Sequence, residues 1–218
     1  MKKTIYLLSL LLITTLVACN SKEKSEEGAE AEKMENLVDN KDIAAKILSL
    51  DNPLMTFTIN VKNLLDKSNI QNIDISDEIS MGMMLVNDYI GEDNKLGINW
   101  NQNIAITIDA ASFEEMQKAE VIGFLKVDDI DKVKTALEQD AQADINEKDG
   151  VMIAQIDPTS IIAIKDHTLG VYFTGNRDVD GLSKIVAVMN TTAESENEYL
   201  NEFLAKGKDL SMFYFMGN

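Results

Sequence analysis

The chain has 218 residues and a formal net charge of −17, with 37 Asp and Glu against 20 Lys and Arg. A surface this acidic repels phosphate backbones, which excludes nucleic acid as a partner, and it disfavours lying flat on anionic lipid. With one cysteine, Cys19, and one histidine, His167, the chain can form no internal disulfide, no Cys-based metal site and no histidine metal cluster, yet it is long enough for one ordinary domain or two small ones.

In chain order the first element is a basic head, Lys2 and Lys3, followed by an apolar run from Ile5 to Val17. A bilayer span needs ~20 apolar residues, so this run is too short to be a transmembrane helix. Its order, basic then apolar then small residues, is that of a secretory signal. Leu16, Val17, Ala18 and Cys19 resemble the bacterial lipobox. That resemblance implies cleavage after Ala18, a signal peptide of residues 1–18, and lipidation of Cys19 through a thioether. Each buried acyl methylene is worth ~0.8 kcal/mol, so two or three chains hold a protein almost irreversibly to a bilayer. Cleavage also removes Lys2 and Lys3 and leaves the rest more acidic still.

Residues 19–42 read as the lipidated cysteine and an acidic tether. The stretch is rich in Glu, Lys and Ser and lacks aromatics, so it cannot bury enough surface to offset the entropy of ordering. As a flexible coil it spans ~26 Å, from the ~5–6 Å × √n relation. Asn20 is not the Asp that resembles an inner-membrane retention signal, which favours the outer membrane. The run from Lys22 to Glu27 resembles the export signals of Bacteroidota surface lipoproteins, which favours surface display over a periplasmic face.

A domain is predicted over 43–218. Ala44, Ile47 and Leu48 form a helical face that stops before Asn52-Pro53, and Met55 to Ile59 alternates as a half-buried strand. Asn60 can cap a short helix, Val61 to Lys67, with Leu64 and Leu65 inward. A longer helix from Ser76 or Asp77 ends before Gly91. Strands follow at Leu96–Trp100, Ile104–Asp109 and Val121–Lys126, then a helix from Asp129 to Gln139 that buries Ile130, Val133 and Leu137.

Three strands come next, Val151–Ile156, Ser160–Lys165 and Leu169–Thr174, with links so short that neighbours must be antiparallel. Helices at Val179–Met189 and Glu196–Lys206 precede a strongly apolar strand, Leu210–Met216. That strand alternates too little for an edge facing water, so it should be central, or an edge covered by another domain or chain. The predicted class is α+β, a mainly antiparallel sheet with helices on one face. Ile59 to Leu64 and Leu125 to Ile130 share a pattern at a strand-to-helix junction. That echo fits two related strand–helix units, 43–119 and 120–218.

The lipobox and tether are joined by further motifs: Asn52-Pro53, the stretch Ile59 to Ser68, Gly123 to Val127, and Lys208 to Ser211. Together these resemble Bacteroidota lipoproteins of the domain-of-unknown-function family numbered 4836. The likeness runs from Asn52 to the end and implies no catalytic residues.

Candidate chemistry is sparse. His167 sits in a turn between strands, where a surface role is expected. Asp140, Asp144, Asn146, Glu147 and Asp149 crowd one connection, but a calcium loop started at Asp144 would place Lys148 at its fifth position and Asp149 at the sixth, where glycine is needed. Asp128, Asp129 and Asp131 suit a helix N-terminus. Trp100, the sole tryptophan, is either core or a ligand contact. Met81, Met83, Met84, Met212 and Met216 suit a core, or a groove for a lipid or peptide.

No metal or cofactor is expected. The reading is a non-catalytic envelope lipoprotein that binds or scaffolds. Its partners would be the bilayer, through acylated Cys19, and an envelope protein or extracellular ligand. The alternatives are a carboxylate-based cell-surface hydrolase and a carrier of a hydrophobic ligand.

Overall fold

A computed structural model describes residues 40–68, 94–139, 143–175, 179–206 and 209–215. The signal, Cys19, the tether and the helix predicted from Ser76 lie outside these residues. Helix α1 (Lys41–Leu48) leads to strand β1 (Pro53–Ile59), helix α2 (Val61–Ser68) and strand β2 (Ile104–Asp109). A 3-10 turn (Phe113–Lys118), β3 (Glu120–Lys126) and α3 (Ile130–Gln139) come next. The meander β4 (Ile145–Lys148), β5 (Val151–Asp157), β6 (Ser160–Lys165) and β7 (Thr168–Thr174) precedes α4 (Gly181–Met189), α5 (Glu198–Ala205) and β8 (Leu210–Tyr214).

The strands form one eight-stranded sheet in the order β4-β5-β6-β7-β3-β2-β1-β8, antiparallel throughout. The class is therefore α+β. Tight links produce the meander. Asp149 and Gly150, and again Asp166 and His167, have positive φ at both positions, the conformation that matches the twist of two-residue hairpins. In the remaining link Asp157 Oδ1 accepts from the Thr159 N–H at 2.7 Å and the Thr159 hydroxyl at 2.7 Å.

Strand alternation sorts the core onto two faces. Ala105, Ile122, Phe124, Tyr172, Ala163 and Ile153 share one face and pack against Ile43 and Ile47 of α1, Ile185 and Met189 of α4, and Leu200 and Leu204 of α5. On the opposite face Val133 and Leu137 of α3 cover Ala154, Ile164 and Leu169. Val61, Leu64 and Leu65 of α2 cover Ile59, Ile104 and Ile106 there. The expectation of helices on one face is thus met by α1, α4 and α5, whereas α2 and α3 lie on the other. The reason is topological: β1 and β3 both flank β2 and run parallel to each other, so the helices that follow them leave the same end of the sheet. The two junctions use the same device. Asn60 Oδ1 accepts from the Asn63 N–H at 2.9 Å, and Asp129 Oδ1 from the Lys132 N–H at 3.1 Å.

Three local predictions are corrected. Leu96–Trp100 is no strand but a turn with one isolated bridge, Ile98 to Val127. Asn94 and Gly97 both have positive φ, and the Asn94 side-chain amide donates to the Ile98 carbonyl at 2.8 Å, which curls the segment. Asn146 and Glu147 belong to strand β4 rather than to a loop, because their partner β5 is long enough to template them. Leu48 is exposed, and Ile43 joins Ala44 and Ile47 on the inward face of α1.

Candidate functional site

At the sheet end opposite the strand-to-helix junctions, a cleft of about 740 Å³ is lined by residues including Asp51, Asp109, Glu120, Asp180 and Lys184. Asp109 closes β2 and Glu120 opens β3, directly opposite each other in register and both on the face that carries α4. Lys184 projects from α4 into the gap between them. Its ammonium is 2.6 Å from Asp109 Oδ2, bonds Glu120 Oε2, and lies 3.3 Å from Asp51 Oδ2.

The remaining carboxylate oxygens are also taken. The Asn52 N–H donates to Asp109 Oδ1 at 2.7 Å, and the Tyr172 hydroxyl donates to Glu120 Oε1 at 2.6 Å. Asp109, Glu120 and Lys184 have side-chain exposures of 3%, 9% and 18%, so the cluster is largely removed from water. Burial works against the Lys184 charge, but the hydrogen bonds and charges of Asp109 and Glu120 outweigh it and hold the ammonium above the ordinary lysine range. Burial, then the Glu120 carboxylate, pushes the Tyr172 phenol well above its usual value. Chemically this is a clasp in which one ammonium bridges two buried carboxylates. Each of the four carboxylate oxygens has one protein donor.

The residues singled out from sequence sit elsewhere. Trp100 is buried among Ile98, Ile104, Ile59 and Val61, and its indole N–H donates to Asn94 Oδ1 at 3.2 Å, so packing accounts for it. Asn103, in the same polar loop, is also structural: its amide donates to the carbonyls of Leu204 and Lys206 at 2.8 and 2.9 Å. His167 occupies an exposed hairpin turn, with Nδ1 3.0 Å from the Val127 carbonyl. Among the described residues no group of three or more His, Cys, Asp or Glu side chains is placed to hold a metal ion. Leu16, Val17, Ala18, Cys19, Met81, Met83, Met84 and Met216 lie outside the described residues.

Sequence reading missed Asp109, Glu120, Tyr172 and Lys184. A signal was present for the first two: Asp109 shares strand parity with buried Ala105, and Glu120 with buried Ile122 and Phe124. A carboxylate on the inward parity of a strand demands a cation.

The other unusual feature is β8. It is an edge strand, and Leu210, Met212 and Tyr214 are about half exposed on the face carrying α2 and α3. Phe113, 58% exposed, meets Tyr214 with ring centroids 6.2 Å apart. No family model, no curated protein and no solved structure matches this chain. No helix among the described residues is long and apolar enough to cross a membrane.

Proposed function

We propose that this chain is a lipid-anchored protein of the bacterial outer membrane whose folded domain works by binding rather than catalysis. The observation that carries the binding reading is β8, an edge strand left uncovered among the described residues, whose outward apolar residues, Leu210, Met212 and Tyr214, are about half exposed. Apolar edges of this kind are usually blunted by charge, proline or a covering element, and β8 has no charged residue or proline between 210 and 214. The lipobox at Leu16 to Cys19 supports the anchor, and the acidic tether from Lys22 supports display at the cell surface. The likeness to the Bacteroidota lipoprotein family supports the same location.

The hydrolase alternative would fall to Asp109 and Glu120, each of which has one oxygen bonded to the Lys184 ammonium. The charged cleft walls suit a hydrophobic cargo poorly.

Three experiments test the reading. Metabolic labelling with palmitate should mark the wild-type chain and not Cys19→Ala, and protease shaving of intact host cells should digest the wild-type domain. Lack of label would remove the anchor, and protection until the outer membrane is opened would place the domain in the periplasm. For binding, a photo-crosslinker replacing Met212 should form adducts in host cells that the same probe at Glu147, on the opposite edge strand, does not. Equal or absent adducts would overturn the docking role of β8.

A further inference from the structure

We draw no further inference here: the strongest candidate, the half-exposed apolar row of Leu210, Met212 and Tyr214 on edge strand β8, belongs to the binding surface already described, and nothing among the described residues shows what covers it.

Discussion

Asp109 and Glu120 stand directly opposite each other on β2 and β3, and the ammonium of Lys184 lies between them, 2.6 Å from Asp109 Oδ2 and bonded to Glu120 Oε2. Two like charges opposed across a ladder are destabilising, and here they are also largely buried. The lysine converts that conflict into a tie between α4 and the sheet, which Tyr172 and the Asn52 amide complete.

Lys184→Met is expected to destabilise the fold by ~3–5 kcal/mol, because it leaves two buried carboxylates without their cation. Urea unfolding measures this as a lower midpoint with an unchanged slope. Adding Glu120→Gln to Lys184→Met should recover part of the loss by removing one of the stranded charges. A double variant no more stable than the single one would show that the cluster does not act through charge.

The cluster also sets the alkaline limit of stability. Lys184 and Tyr172 both bind their protons more tightly when folded than their ordinary values of 10.5 and 10.0 allow. Above about pH 10 the unfolded chain therefore releases protons that the folded one keeps, and stability falls as pH rises. Below that range the contribution is complete. Melting temperature measured from pH 8 upward should stay level and then drop, with the drop reduced in Tyr172→Phe. In ultraviolet titration of tyrosine, that variant should lack the component that ionises last.

Asn103→Ala is expected to cost ~1–3 kcal/mol. Its amide satisfies the carbonyls of Leu204 and Lys206 at the end of α5, and its oxygen accepts from the Asn60 amide at 3.1 Å. Hydrogen exchange should show the last turn of α5 opening more readily than the rest of the helix. Uniform exchange along α5 would place the stabilisation elsewhere.

Gly97→Ala should be the most damaging single-methyl change in the loop before β2. Gly97 has φ +65°, and a Cβ there would meet the Asp129 carbonyl oxygen at 2.2 Å, which is backbone and cannot swing aside. The neighbouring amides of Asp128 and Asp129 both donate to the Gly97 carbonyl, at 2.8 and 3.1 Å, so the start of α3 would move with it. Loss of stability should be matched by loss of α3 protection in hydrogen exchange, while α5 stays protected. Wild-type stability for this variant would contradict the packing described here.

Much of this architecture was legible residue by residue. Alternation located β1, β2, β3 and the β5 to β7 meander, and capping chemistry at Asn60 and Asp129 located α2 and α3. Leu96 to Trp100 misled because an alternating pattern also fits a curled segment whose apolar residues, Leu96, Ile98 and Trp100, all reach the same cluster. The β4 strand was invisible because its residues are mostly polar and exposed, and only a neighbour of the right length makes them a strand. The clasp was missed for another reason. Asp109 and Glu120 share the parity of buried strand residues, but nothing in the sequence names Lys184 as their partner.

The sequence by itself determined local structure: helix starts, hairpin turns and the acidic surface. Such features follow from forces acting over a few residues, through backbone geometry, capping and side-chain period. Only the tertiary structure decided that β8 lies at an edge, that α2 and α3 share a face, and that Lys184 meets carboxylates 64 and 75 positions away in the chain. Alternation tells which side of a sheet a residue faces, but strand order depends on how the whole set of apolar faces is buried at once. Both the clasp and the exposed edge are products of that order.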